Sequence, residues 1–215
     1  MVAREMPAPV EEARARVAIV TSFRHLPLWI WLAQFFEDDE LFELCAVNPG
    51  LRIERTAEGE LLIMSPAGGE TGRRNFDLIG QFHAWVKRHG TGVGFDSSTG
   101  FVLPNGAERS PDLAWLRAER WNALAAEQKR KFVPLCPDFV VELRSPSDTL
   151  ADQHAKLEEY ISCGAGLGWL LDPDEKVAWI YRPGAKVERL EAPLTLRGDP
   201  ELPGLVLDLA VVWQE

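Results

Sequence analysis

The sequence predicts an α/β protein, one mixed β-sheet flanked by helices. Two observations carry this. "PDFVVELRSPSD", "LGWLLDP" and "KVAWIYRPG" are short apolar runs bounded by turn residues, as buried strands are. Between them lie stretches of helical character, such as "DTLADQHAKLEEYISCG", with Asp148 placed as an N-cap and Gly164 as a C-cap. The chain has 215 residues, 46% hydrophobic and 26% charged, enough for one core.

In chain order, residues 1–36 predict an N-terminal arm and the start of a helix, and residues 37–215 a single domain. The helix is expected over 29–50, ended by Asn48-Pro49-Gly50. Residues 51–66 read as a hairpin, with strands Leu51–Arg55 and Glu60–Met64 and a turn near Glu58-Gly59. "GGETGRR" opens a helix whose expected apolar stripe is Phe76, Ile79, Phe82 and Val86. Strands and turns follow over 92–116, then a short charged helix over 119–132, the strand of 138–144 and its helix. Two paired strands turn at Pro173-Asp174, and the C-terminal third reads as further short strands.

Charge and cysteine content narrow the function classes. The net charge is −10, so any nucleic-acid role must rest on a local basic patch. Arg52, Arg55, Arg73, Arg74, Arg109 and Arg144 are its possible suppliers. Cys45, Cys136 and Cys163 are too few and too scattered for a disulfide framework or a close-spaced zinc site. No apolar run reaches membrane-spanning length, and the acidic N-terminus is unlike a signal peptide. A cytoplasmic protein with no membrane partner is the expectation.

The chemistry-bearing candidates are three. Side chains alternate along a strand, so Phe139, Val141 and Leu143 face one way, and Val140, Glu142 and Arg144 the other. Glu142 and Arg144 could be only an ion pair on a half-exposed strand. Asp112, after Ser110-Pro111, could be only a turn aspartate. Lys156, four residues after Asp152, could be only half of a helical surface pair. Brought together, two carboxylates and a lysine form a site for phosphodiester hydrolysis: hard oxygen ligands for Mg²⁺ and an ammonium to offset phosphate charge. Ser97-Ser98 lacks a local base, the histidines lack metal spacing, and "GTGVG" lacks the setting of a phosphate loop.

The order "SPD…FVVELRSPSD…K…Y" resembles the PD-(D/E)xK nuclease superfamily, and within it the Uma two family of restriction-endonuclease-like proteins. The resemblance covers roughly residues 37–213 and rests on blocks including "LRIERTAEGELLIMSP", "GGETGRRN", "FDSSTGFVLPNGAERSPDLAW" and "AKLEEYISCGAGLGWLLDP". It implies a restriction-endonuclease-like core, with an N-terminal helix and hairpin. It also implies metal ligation by Asp112 and Glu142, an additional acid at Glu54, and Mg²⁺ as cofactor with Mn²⁺ able to substitute. The superfamily lysine two positions after the second acid is here Arg144; the resemblance places the lysine on the following helix, at Lys156, with Arg144 holding phosphate. DNA is the implied substrate, and related nucleases often form homodimers. Three readings stay open: a metal-dependent DNA endonuclease, an inactive or regulatory module with this fold, and a phosphodiesterase acting on RNA or nucleotides.

Overall fold

The computed structural model of the protein describes residues 28–30, 38–48, 51–64 and 66–214. Most of the expected N-terminal arm lies outside the described residues. The elements in chain order are β1 (Leu28–Ile30), α1 (Asp38–Val47), β2 (Arg52–Arg55), β3 (Leu61–Met64), α2 (Gly69–His89), β4 (Gly92–Asp96), β5 (Phe101–Val102), β6 (Glu108–Arg109), β7 (Leu113–Arg117), α3 (Ala118–Ala123), β8 (Phe139–Leu143), α4 (Leu150–Ser162), β9 (Leu167–Asp172), β10 (Val177–Tyr181), β11 (Glu188–Glu191), β12 (Thr195–Arg197), β13 (Val206–Asp208) and α5 (Ala210–Trp213).

The central sheet has six strands in the order β11-β10-β9-β8-β7-β4. It is mixed: β8 and β9 run parallel, and the other neighbours run antiparallel. The parallel pair needs a crossover, and α4 supplies it. The hairpin β2–β3 does not extend this sheet. It recruits β1, β6 and β5 into a second, five-stranded sheet.

β8 is buried along its whole length, and alternation divides its side chains between two cores. Phe139, Val141 and Leu143 pack with Leu78, Phe82 and Trp85 of α2. Val140 packs on the other side with Leu157 and Tyr160 of α4. Glu142 therefore points toward α4.

Several expectations need correction. The helix predicted over 29–50 is two elements: Leu28–Ile30 pairs antiparallel with β3, and α1 begins only at Asp38. A strand suits the apolar Leu-Trp-Ile beside an open hairpin edge, while Asp38, Asp39 and Glu40 favour a helix N-terminus. Phe76 leaves the predicted stripe, being 77% exposed; Leu78, Phe82 and Trp85 carry the buried face of α2. The helix over 119–132 splits into α3 and a 3₁₀ turn at Gln128–Arg130. The N-cap of α4 is Thr149, whose hydroxyl accepts from Asp152 N at 3.1 Å. Asp148 instead accepts from the backbone and hydroxyl of Ser145, both at 2.8 Å.

Candidate active site

Register brings the two predicted metal ligands together. β7 and β8 pair Leu113 with Val141, so the next position along the antiparallel register sets Asp112 opposite Glu142. Directly opposed residues point to the same face of a sheet. Asp112 Oδ2 accepts from Leu143 N at 2.9 Å, which ties its carboxylate to the end of β8. Its Oδ1 accepts from Asn75 Nδ2 of α2 at 3.4 Å and lies 3.7 Å from the Arg52 guanidinium.

α4 carries the cation. Packing of Leu157 and Tyr160 into the core fixes the roll of the helix, and Lys156 is thereby turned inward. Its Nζ lies 3.0 Å from Glu142 Oε1 and 3.0 Å from Glu54 Oε1. The pairing with Asp152 considered from sequence is not formed; the Asp152 carboxylate accepts from Thr149 Oγ1 at 2.6 Å. Glu54 is no exposed strand glutamate either: it is fully buried, accepts from Ser110 N at 3.0 Å, and lies 3.5 Å from Arg109. Arg109 also donates to Glu159 of α4 at 2.6 Å, so it braces β6 against the helix that carries Lys156.

The charges are strongly coupled. Burial raises the Glu142 carboxyl to about 7; Lys156 opposes this, while the Asp112 and Glu54 carboxylates add to it. Burial pushes Glu54 the same way, but Lys156, Arg109 and Arg52 outweigh it and hold Glu54 below its ordinary range. Burial disfavours the Lys156 ammonium, yet Glu142 and Glu54 keep it charged and raise its pKa. Tyr160, one turn beyond Lys156, donates to Glu142 Oε1 at 3.0 Å. Both hydrogen-bonding neighbours of Glu142 thus use Oε1.

Asp112, Glu142 and Lys156 line one cleft of about 980 Å³, together with Arg52, Asn75 and Gln153. Among the described residues no group of three or more His, Cys, Asp or Glu side chains forms a ready-made metal cage. The donor set still fits Mg²⁺, which keeps several waters and is held by one or two carboxylates plus substrate phosphates. Glu142 also fits electrostatically: a carboxyl raised toward neutrality by burial and neighbouring carboxylates is one that a cation would relieve.

Arg144 sits apart from this group. Its guanidinium pairs with Asp172 of β9 at 2.6 Å, and its Nε donates to Asp148 O at 3.3 Å. Arg52 is the arginine that reaches the cleft beside Asp112. Sequence reasoning counted Arg52 and Arg109 only as possible basic surface, and Tyr160 only as the closing residue of a motif. Tyr160 was legible in principle, because i and i+4 share a helix face. Arg109 was not, since its role depends on three elements meeting.

Comparison with known proteins identifies the chain's relatives. The model of the Uma2 family, described as "Putative restriction endonuclease", matches residues 38–210. The chain belongs to the Uma2 family. A search of curated proteins finds no match. Among solved structures, the chain is similar to a putative nuclease belonging to DUF820 from Anabaena variabilis ATCC 29413, with a TM-score of 0.67 and 19% identity over 81% of this chain and 96% of that one. At that identity the likeness establishes the fold. Among the described residues no helix is long and apolar enough to cross a membrane.

Proposed function

We propose that this Uma2 protein is a Mg²⁺-dependent endonuclease that hydrolyses DNA phosphodiester bonds. The observation that carries the reading is the Lys156 ammonium, 3.0 Å from both Glu142 and Glu54, in the cleft that Asp112 also lines. The family's description supports a nuclease, and DNA is the substrate of the class it names.

A divalent cation held by Asp112 and Glu142 would supply an activated water and offset phosphate charge. The chain's own residues do the rest. Lys156 presents a fixed positive charge to the phosphate oxygens, without reorganisation at the moment of reaction. Glu54, buried and braced by Arg109 and Ser110 N, keeps the lysine in place. Tyr160 orients the Glu142 carboxyl through Oε1. Arg52, a third exposed, can meet an incoming phosphate beside Asp112. The overall charge of −10 confines binding to this local cluster. A homodimer would set two such sites on a duplex.

The test is cleavage of supercoiled plasmid DNA and of a matched RNA in Mg²⁺, Mn²⁺ and EDTA. Nicking of DNA in Mg²⁺ or Mn²⁺, lost in EDTA and in Glu142→Gln, is expected. Cleavage confined to RNA would replace DNA as the substrate. Inertness toward both would leave a binding or regulatory role.

A further inference from the structure

Glu108 is a buried carboxyl group that the hydrolytic cluster does not use. It stands on β6, is 1% exposed, and neither of its oxygens has a hydrogen-bond partner among the described residues. Leaving such a group unpaired is costly, and a partner from outside the chain would remove that cost. The bordering arginines are engaged elsewhere: Arg55 with Asp38 and Gly106 O, Arg109 with Glu159 and Glu54. Glu108 lines the same cleft of about 980 Å³ as Asp112, and Cys45, Ile53 and Phe132 line it too.

Gly100 supplies an independent observation. A Cβ there would lie 2.4 Å from Glu108 Oε1 and 2.4 Å from Phe132 Cδ1. Carboxyl and ring therefore meet over one glycine, and a larger residue would displace both. The carboxyl also keeps its proton at neutral pH. Burial raises it to about 8; Glu54 and Asp38 add to the rise, and Arg55 and Arg109 oppose it. The Cys45 thiol of α1, pushed up to about 11 by burial and by Glu108, stays neutral as well. A protonated carboxyl sets an O–H donor beside a C=O acceptor, the same pattern as a glutamine amide.

We propose that Glu108 and Phe132 form a recess for one unpaired nucleobase of the substrate strand, beside the hydrolytic cluster. The ring offers a face for stacking, and the carboxyl pairs with a base edge that carries a donor next to an acceptor. Adenine, with its N6 amino group beside N7, has such an edge, and glutamine pairs with it in this way. Because Glu108 is buried, a base still stacked in a duplex cannot reach it; the base must leave the stack or come from a single strand. Only four residues separate Glu108 from Asp112, at most about 14 Å of extended chain, so neighbouring parts of one strand can fill recess and cluster. The inference rests on the nuclease reading for its place in the reaction, and narrows the substrate to single-stranded or locally opened DNA.

The experiment is calorimetric titration of the full chain in EDTA with deoxyadenosine 5′-monophosphate, and with 2-deoxyribose 5-phosphate as the partner lacking a base. Wild type, Glu108→Gln and Glu108→Leu are compared at pH 6 and pH 9. Wild type should bind the nucleotide more tightly than the sugar phosphate. Its affinity for the nucleotide should fall about tenfold from pH 6 to pH 9, as the protonated fraction falls to about one-tenth. Glu108→Gln, which keeps a donor beside an acceptor, should bind like wild type at pH 6 and lose that pH dependence. Glu108→Leu should weaken nucleotide binding about tenfold or more at pH 6 and leave sugar-phosphate binding unchanged. Equal affinity for the two ligands, or a pH dependence that persists in Glu108→Gln, would overturn the recess, even where Glu108→Leu fails to fold. Plasmid cleavage in Mg²⁺ judges the nuclease reading separately.

Discussion

Lys156 and Arg144 both follow Glu142 in sequence, and the fold gives them opposite situations. Lys156 comes in from α4 and inserts between two buried glutamates in a cleft. Arg144 leaves the end of β8 and closes on Asp172 of the neighbouring strand. The first arrangement holds like charges together around a cation within reach of a ligand. The second is a local clamp between β8 and β9, whose acid also accepts from Asp174 N and Glu175 N at the following turn. Arg144, two positions after Glu142, is thus a structural joint, and the ammonium beside Glu142 comes from the helix.

The largest expected effect breaks the Lys156 arrangement. Lys156→Met should lower kcat by roughly 100-fold or more with little change in DNA affinity, as loss of a transition-state electrostatic group does. Single-turnover cleavage and equilibrium binding measure the two separately. Full activity in Lys156→Met would return the lysine to a structural role.

The next effect is on stability and depends on pH. In metal-free protein Glu142 titrates at about 7, against an ordinary 4.5, so the folded state binds its proton more tightly than the unfolded chain. The stability it contributes is fully present below about 4.5 and is lost as pH rises to about 7, at up to roughly 1.4 kcal/mol per pH unit. Buried Glu108, at about 8 through burial and the nearby Glu54, extends the same trend. Melting temperatures in EDTA should therefore fall from pH 5 to pH 8, and Glu108→Gln should flatten the upper part of the curve. Mg²⁺ should restore stability at pH 8 in wild type but not in Glu142→Gln. A flat profile in EDTA would contradict the buried, proton-binding glutamates.

A smaller effect belongs to the clamp. Arg144→Ala leaves Asp172 buried without its cation, though still accepting from two backbone amides, and should cost about 1–2 kcal/mol of stability. kcat should stay within about threefold of wild type. A folded Arg144→Ala that no longer cleaves would show that the arginine swings into the cleft. The smallest effect is on Asp152, whose i,i+4 spacing from Lys156 invites a pairing that the fold does not make. Asp152→Ala should remove part of the Thr149 cap, at about 1 kcal/mol or less, and leave kcat unchanged.

Much of this was legible before any fold was known. The hairpin strands of 51–66, the helix opened by "GGETGRR" and the β9–β10 pair lie within a residue or so of their predicted places, because their signals are local. Alternation along β8 correctly put Glu142 opposite to Phe139, Val141 and Leu143. The helix predicted over 29–50 failed where an apolar segment had a choice, and pairing with β3 decided it for Leu28–Ile30. Phe76 failed because helical spacing gives a set of possible faces, and only packing selects the buried one.

For the candidate site, the sequence by itself determined the residue types: one acid at the start of a strand and one within another, a lysine on the helix that follows, and an acidic hairpin position, all within blocks specific to one family. Tertiary structure decided their relationships. It buried Glu54, turned Lys156 away from Asp152, sent Arg144 to Asp172, and drew in Tyr160 and Arg109. Spacing along a chain fixes which side chains share one face of one element. Which faces then meet depends on strand register and on how α4 rolls against the sheet, and those are set by the combined burial of Val140, Leu157 and Tyr160 rather than by any one of them.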